Sequence, residues 1–405
     1  MNKRNIPILA AIYAVLFAGN YASYQIPPLA DAICSMYGLN AMQLSSLVSA
    51  PMIPAIFLSL AAGMLADRFG VKLIVSVAMS ASAFALIIRI FVQSYTGLFI
   101  SMIAAGLGVA CFYANLSKTI GLWFDKRKAG AISGVAISAN TLGMTVATAT
   151  ASLMSSITAA FTVSAAVSCI ASALWILFMK RDRPAVSTSS AGGADRGASF
   201  AASLTASAKC PLIWVGGAGL FLIYGANMIV STFLPSALSS ISGYSAVAAG
   251  TTASLYTLGM FGGSFAGPII YSRFKNRKAV IVAVGAASCC VIPIFWLCSI
   301  PLIEAVLAVL SGFLLGFCVP VFISFPMFIP SLGSEHSGTA GGILATLQLL
   351  GCVIIPTYIA SPISGGSFHV LFIIAGICML IMSVTMLLFF PKNMGATAKP
   401  AEPHD

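Results

Sequence analysis

The chain has 405 residues, of which 59% are hydrophobic and only 7% are charged. A soluble domain carries about a quarter charged residues, so this composition excludes an ordinary water-soluble globular protein. The formal net charge of +11 does not indicate a nucleic-acid partner, because the basic residues stand in short runs between apolar stretches, the pattern by which membrane proteins encode their orientation.

The predicted helices begin with an apolar segment at residues 6–30, preceded by Lys3 and Arg4. Because this segment is too long for the core of a signal peptide, we expect it to be retained as a first transmembrane helix. A helix that crosses a bilayer needs about 20 mostly apolar residues. Further segments meet this requirement at residues 42–66, 72–93, 96–120, 129–152, 158–180, 210–237, 245–270, 279–299, 302–328, 338–362 and 367–390. The sequence thus predicts an all-α polytopic membrane protein with 12 transmembrane helices.

The basic residues predict how the chain lies in the membrane. If the N-terminus is cytoplasmic, 19 of the 20 Lys and Arg residues fall in cytoplasmic segments, as the positive-inside rule requires. We therefore expect a multi-pass protein of the cytoplasmic (inner) membrane, surrounded by membrane lipids, with both termini in the cytoplasm. The exception is Arg89, whose long side chain we expect to reach outward to the lipid–water interface.

A polar segment rich in Ser, Ala and Gly divides the predicted helices into two sets of six. This composition is typical of a flexible linker. We therefore predict an N-terminal six-helix bundle at residues 1–180, a cytoplasmic linker at 181–209, a C-terminal six-helix bundle at 210–391 and a cytoplasmic tail at 392–405.

The two predicted bundles share a weak internal repeat. Four polar or glycine positions recur 208 residues later, pairing Gly130 with Gly338, Gly134 with Gly342, Asn140 with Gln348 and Gly143 with Gly351. A spacing near half the chain length indicates duplication. Two six-helix bundles related by a pseudo-two-fold axis along the membrane normal are typical of one large architecture of secondary transporters.

The loop between the second and third segments reads Gly63-Met-Leu-Ala-Asp67-Arg68-Phe-Gly70-Val-Lys72. It resembles the G-x-L-A-D-R-x-G-x-K signature loop of the major facilitator superfamily, at the position where that family carries it. The resemblance implies a secondary active or facilitative transporter, not an enzyme. Such a protein works by alternating access, binds a small-molecule substrate between its halves and functions as a monomer.

The resemblance also implies a conformational latch formed by Gly63, Asp67, Arg68, Gly70, Lys72 and Gly338. Asp67 would face the positive dipole end of the eleventh helix near Gly338, which stabilises a carboxylate by about 0.3–1 kcal/mol. Gly63 and Gly70 would let the helices approach closely. We expect the latch to hold the outward-open state; the alternative is that Asp67 is a solvated loop charge.

Polar side chains inside the predicted helices are candidates for the substrate site, because unpaired polar groups are costly in lipid. We expect the cavity to be lined by Asn20, Tyr21, Tyr24, Gln25, Asn115, Lys118, Asn140, Tyr224, Asn227 and Gln348. Three alternatives stay open at this point. Asn140 and Gln348 could bond neighbouring helices, the tyrosines could belong to an interfacial aromatic belt, and Lys118 could reach the inner interface.

The substrate class is predicted from charge and from a second resemblance. No Asp or Glu falls in the middle of a predicted helix, which disfavours proton symport through an acidic residue and export of cations. The stretch from Asn115 to Gly130, with Asn140 and Gly143, resembles the nitrate/nitrite, cyanate-type and oxalate/formate-type porters, although their anion-binding arginines have no counterpart here. We predict uptake or exchange of a small organic anion, a carboxylate, attracted by Lys118. The alternatives are export of lipophilic drug-like compounds and transport of neutral metabolites.

The 10 cysteines and 3 histidines form no ligand cluster, so no metal and no cofactor is expected.

Overall fold

The structure is a computed structural model that describes residues 6–124, 129–154, 156–180, 205, 207–274, 276–295, 300–323 and 333–390. Most of the predicted linker and the predicted tail lie outside these ranges. The described residues form twelve helical units, which we number α1 to α12 in chain order. Nine are single helices: α3 (Val71–Arg89), α4 (Tyr95–Trp123), α5 (Ala129–Ala151), α6 (Ile157–Phe178), α7 (Pro211–Ile241), α8 (Ala246–Arg273), α9 (Arg277–Ile294), α10 (Pro301–Ile323) and α12 (Phe368–Phe389).

The other three units are composite, and proline explains the interruptions. Unit α1 joins Ile6–Tyr24 to Ala30–Tyr37 through a 3₁₀ turn at Pro27–Leu29, and α2 joins Ala41–Ser49 to Ile53–Phe69 through a 3₁₀ turn at Ala50–Met52. Unit α11 runs from Gly333–Ile354 through a π-helical stretch at Ile355–Ala360 to Ser361–Ser364. Each interruption contains a proline, whose missing N–H breaks the regular hydrogen-bond ladder.

The alternation of twelve helices gives the molecule two ends. We call the end where α1 begins at Ile6 and α12 ends at Phe389 the terminal face, and the opposite end the far face. Several helices that start at the far face have a capping side chain that accepts a backbone N–H bond: Asn40 before α2, Ser94 before α4, Ser156 before α6 and Ser245 before α8. These caps satisfy donors that a helix start leaves unpaired and allow short connections at this face.

Length and apolar composition alone identify 10 membrane spans in the described residues. Of the other two helices, α5 is not described along enough of its length for this test, and α8 falls short because its 28 residues are rich in Gly, Ala, Ser and Thr. The two helices pack against each other across the middle of the molecule. Because α5 shields part of α8 from lipid, α8 does not need a fully apolar surface, which is consistent with the predicted twelve-helix architecture.

The repeat predicted from the glycine series produces matching contacts in both halves, α1–α6 and α7–α12. A Cβ atom at Gly143 of α5 would lie 2.5 Å from the carbonyl oxygen of Phe17 in α1. Its repeat partner Gly351 of α11 would place a Cβ atom 2.2 Å from the carbonyl oxygen of Phe221 in α7. Only glycine permits this approach of two backbones, so the duplicated residues preserve a duplicated helix contact.

In the second half, α8 and α10 touch backbone to backbone along most of their length. A Cβ atom would lie between 2.0 and 2.5 Å from a carbonyl oxygen of the opposite helix at each of five glycines: Gly259, Gly263, Gly267, Gly312 and Gly316. Contacts this short exclude any side chain, so small residues fix the spacing of these helices.

Replacing Gly263 by alanine is therefore expected to lower Tm, because the new methyl group would overlap the carbonyl of Phe313, a backbone atom that cannot rotate away. Overpacking of this kind costs about 1–3 kcal/mol. The adjacent Gly262 is the matched control, since a Cβ atom there would meet only a ring carbon of Phe313 at 3.9 Å. Thermal unfolding of the purified variants checks this, and equal Tm values for Gly263→Ala and Gly262→Ala would contradict it.

A buried carboxylate joins α10 to the far-face end of α7. Glu304 is only 1% exposed, and its Oε1 accepts a 2.5 Å hydrogen bond from the hydroxyl of Ser242. Tyr244, in the loop between α7 and α8, lies beside it: burial first, and then the Glu304 carboxylate, raise the pKa of Tyr244 to about 12. Tyr244 is therefore a neutral phenol at physiological pH.

Removing this carboxylate should destabilise the far face. Glu304→Ala is expected to lower the free energy of unfolding by about 1.5–3 kcal/mol, the value of a hydrogen bond to a charged group. Glu304→Gln keeps an acceptor oxygen for Ser242, so its free energy of unfolding should fall clearly less. Thermal or denaturant unfolding in detergent measures the difference, and equal losses in both variants would show that the hydrogen bond is unimportant.

Candidate substrate site and the contacts between the halves

Two amides predicted for the substrate site meet between α1 and α5. The Nδ2 of Asn20 donates to the Oδ1 of Asn140 at 2.9 Å and to the carbonyl of Leu16 at 3.1 Å. Tyr113 of α4 lies within hydrogen-bonding reach of both amides. Its side chain is 44% exposed, and its hydroxyl is the end that lies toward the amides of α1 and α5.

The second half completes this group from α7 and α11. Tyr113 lies close enough to Tyr24 of α1 and Tyr224 of α7 to interact electrostatically, and the same holds for Cys352 of α11 and these two tyrosines. Tyr24 is 5% exposed, and its hydroxyl contacts the Sδ of Met228 in α7 at 3.8 Å. We define the central polar cluster as Asn20, Tyr24, Tyr113, Asn140 and Tyr224. It joins side chains from both halves, and each of them is uncharged.

Other predicted site residues bond neighbouring helices within one half. Tyr21 pairs with the hydroxyl of Thr150 in α5 at 3.3 Å. Asn115 is 1% exposed and donates to the carbonyl of Ala62 in α2 at 3.3 Å. Asn227 is 3% exposed and accepts a 2.6 Å bond from the hydroxyl of Tyr256 in α8. These hydrogen bonds hold helices of the same half together, and a role of the three residues in substrate binding stays a prediction.

Two predicted amides have less defined roles. Gln25 is 0% exposed, and neither its Oε1 nor its Nε2 has a hydrogen-bond partner. Gln348 is half-buried on α11, three residues before the close contact of Gly351 with α7.

Lys118, which was predicted to attract an anionic substrate, forms a hydrogen bond with the end of α2. Its Nζ donates to the carbonyl of Ala66 at 3.1 Å, in the last turn of α2. A cation at this position is favourable, because the carbonyl end of a helix carries partial negative charge. The ammonium therefore joins α4 to α2 near the terminal face in this conformation.

The signature loop ends α2 with a left-handed glycine. Gly70 has φ +89° and donates its N–H to the carbonyl of Ala66 at 3.0 Å. Arg68 is exposed, with its guanidinium carbon 5.2 Å from the ring of Phe69, and the carbonyl of Lys72 accepts a bond from Trp175 Nε1 at 3.4 Å. The side chain of Asp67 and the surroundings of Gly338 lie outside what the structure describes, so the latch stays a prediction.

Hydrogen bonds between described residues of the two halves lie in the far-face half of the helices. Three of them join α2 to α11: Ser45 to Ser361 at 3.0 Å, Ser49 to Thr357 at 3.4 Å, and the hydroxyl of Ser361 to the carbonyl of Ala41 at 3.4 Å. A fourth joins α5 to α8, Thr145 to Thr257 at 2.9 Å. With the contact of Tyr24 and Met228, they close the far side of the central polar cluster.

Toward the terminal face, the glycines of α2 and α11 make no close contact with the described residues. A Cβ atom at Gly63 of α2 would have no described atom within 4 Å, and the same holds for Gly341 and Gly342 of α11. The close approach that Gly63 was predicted to permit is therefore not seen among the described residues. The described hydrogen bonds between α2 and α11 are those near the far face.

Tyr113 was not among the predicted site residues, and the predicted position of the Arg89 side chain was wrong. Tyr113 lies two residues from Asn115, but an aromatic residue in an apolar helix gives no signal that distinguishes cavity from lipid. Arg89 was expected to reach the interface; it is instead 0% exposed, enclosed by α1, α4 and α6. Polar partners inside the bundle hold the guanidinium there.

Comparison with known proteins agrees with this architecture. A sequence model described as the Major Facilitator Superfamily matches residues 9–356. Curated protein sequences yield no match.

Solved structures share the fold at low sequence identity. A bacterial homologue of the human lysosomal transporter Spinster, in an inward-facing and unoccupied conformation, superposes with a TM-score of 0.78 at 14% identity, covering 96% of both chains. A mutant of the nucleoside transporter NupG gives 0.75 at 15% identity, covering 96% of this chain and 100% of the other. A D-xylose-proton symporter gives 0.76 at 15% identity, covering 96% and 98%.

The predicted family and fold class are thereby confirmed: this chain, with its twelve helices in two halves, belongs to the Major Facilitator Superfamily, and it is a multi-pass membrane transporter and not an enzyme.

Proposed function

We propose that this protein moves a small, uncharged polar metabolite across the membrane by alternating access, as a single chain. The observation that carries the proposal is the central polar cluster. Its amides and phenols offer hydrogen-bond donors and acceptors from both halves, immediately inside the far-face closure. The members of the cluster are amides and phenols, so none of them carries a charge that would compensate a charged solute.

The small organic anion predicted from the sequence is the second candidate. Lys118 lies on α4 five residues beyond Tyr113 toward the terminal face, which is about 7.5 Å along a helix. An anion entering from that face would compete with the carbonyl of Ala66 for the ammonium. Lipophilic compounds are less favoured, because the cluster would leave its polar groups unpaired against them.

A ligand screen by thermal stabilisation separates these candidates. Purified protein is heated with neutral polar metabolites, small carboxylates or lipophilic cations, each for wild type and for Lys118→Ala. A ligand present at 100 times its Kd stabilises the folded state by about 2.7 kcal/mol. Stabilisation of both proteins by a neutral metabolite supports the proposal. If a carboxylate stabilises wild type but not Lys118→Ala, the anion candidate replaces the proposal. If only lipophilic cations stabilise the protein, both the neutral-metabolite and the anion candidates are rejected.

We also propose that the terminal face is cytoplasmic and that the protein resides in the cytoplasmic membrane. The distribution of 19 of 20 basic residues supports this orientation. A reporter fused after residue 405 that fluoresces only in the cytoplasm should be active, and one that folds only outside should be inactive. The reverse result would invert the orientation and leave the cluster and its far-face closure unchanged.

A further inference from the structure

Arg89 is a charged side chain sealed inside the first half of the molecule. Its Nη1 donates to the carbonyl of Ala22 in α1 at 3.3 Å and contacts Met102 Sδ of α4 at 3.1 Å. Its Nη2 donates to the hydroxyl of Ser164 in α6, and the guanidinium carbon lies 4.1 Å from the ring centroid of Phe161. The residue is 0% exposed. One cation thus bonds α1, α4 and α6 from its position at the end of α3.

This cation has no counter-charge among the described residues. Its contacts are a carbonyl, a thioether, a hydroxyl and an aromatic face, and its Nε has no hydrogen-bond partner. The one electrostatic neighbour recorded for it is the phenol of Tyr37. Taking an unpaired charge out of water costs several kcal/mol, so a buried guanidinium with an idle N–H indicates that an anionic partner is missing from the protein itself.

A second unpartnered group lies on α1 near one of these contacts. Gln25 is 0% exposed, and both polar atoms of its amide lack a partner. It follows Ala22, whose carbonyl accepts from Arg89, by three residues. Positions three apart along a helical turn lie on the same side of it, so Gln25 is on the side of α1 that carries Ala22. Arg89 Nε and Gln25 Nε2 are thus two idle, buried donors associated with the same turn of α1.

We propose that a small monovalent inorganic anion, of the size of chloride, binds between Arg89 Nε and Gln25 Nε2. A water molecule could accept the same two hydrogen bonds but would leave the positive charge uncompensated in a medium of low dielectric. A large or multiply charged anion does not suit an enclosed site with one cation. The bound anion would stabilise the packing of α1 against α3 and α6, independently of the transported solute.

The test compares halide and non-halide salts at equal ionic strength. Wild-type protein, purified in sodium gluconate, is titrated with sodium chloride or bromide while Tm is measured. The proposal predicts a saturable rise of Tm with halide. Gln25→Met, which keeps the length of the side chain and removes its donor, should raise the halide concentration at half-saturation about tenfold, the effect of losing one hydrogen bond to a charged group. Arg273→Gln, which removes an exposed cation outside the predicted latch, should respond like wild type.

Arg89→Met should abolish the halide response and be at least as stable as wild type in gluconate, because it removes an uncompensated charge. If that variant does not fold, two other measurements test the proposal: the halide titration of Gln25→Met, and the anomalous scattering of a crystal soaked in bromide. The crystal should show an anomalous peak within hydrogen-bonding distance of Arg89 Nε. Identical wild-type Tm values in chloride and gluconate would overturn the proposal and would indicate that a buried water molecule, and not an anion, accepts these hydrogen bonds. A halide response that Gln25→Met shares unchanged with wild type would overturn it as a general salt effect.

Discussion

Oxidation of the double variant Ser45→Cys/Ser361→Cys is expected to abolish transport completely, and reduction is expected to restore it. The two hydroxyl oxygens lie 3.0 Å apart, one on α2 and one on α11, at the closed far face. A covalent bond there would prevent the halves from separating, and alternating access requires that separation. Transport is measured in vesicles with the ligand from the thermal screen, in a background whose half-buried and exposed cysteines are replaced by serine.

The matched control is a second cysteine pair within one half. Ser80 of α3 and Ser172 of α6 have hydroxyl oxygens 3.5 Å apart, and both belong to the first half. Because helices within a half move together, Ser80→Cys/Ser172→Cys should transport normally after oxidation. If the Ser45/Ser361 pair forms its disulfide, as shown by mass spectrometry, and still transports at the rate of the control, the far-face contacts are not a gate.

Asn140→Ala is expected to weaken binding of the transported solute by tenfold or more. The substitution removes the acceptor of the Asn20 bond, so it disrupts two members of the central polar cluster at once. Loss of one polar contact in an enclosed site typically costs about 1–3 kcal/mol. The ligand dependence of Tm and the concentration for half-maximal transport measure this effect.

Ser138→Ala is the control for that variant. Ser138 is on the same helix, two residues away, and its hydroxyl donates to the carbonyl of Val135 in its own helix. It should leave affinity unchanged. Equal affinities for Asn140→Ala and Ser138→Ala would remove Asn140 from the substrate site and, with it, the main support for an uncharged polar substrate.

The fold could be predicted from the sequence because lipid imposes simple requirements. Spans of about 20 apolar residues and a loop signature indicated twelve helices, and paired glycines such as Gly143 and Gly351 indicated duplication. Glycine is informative here because a close backbone approach excludes every other side chain. The signal therefore reports a contact directly.

The site could be predicted only in part, because polarity in a helix does not reveal the partner. Asn20 and Asn140 face the interior, whereas Asn227, equally polar and also mid-helix, bonds Tyr256 between α7 and α8. Lys118 could reach either the cavity or the end of α2, and the helix end holds it in this conformation. Arg89 shows the same limit, since a basic residue near a helix end usually extends to the interface.

The most direct test of alternating access measures two distances between α2 and α11, one at each face. Spin labels at Met42 and Tyr358 report the far face, and labels at Met64 and Gly342 report the terminal face; the structure leaves all four positions exposed. Pulsed electron spin resonance is recorded with and without the ligand from the thermal screen. We expect two populations in which the label distances change in opposite directions: the far-face distance is longer when the terminal-face distance is shorter. This result would agree with a gate at each end. Distances that stay fixed through the transport cycle, or that lengthen together, would contradict it.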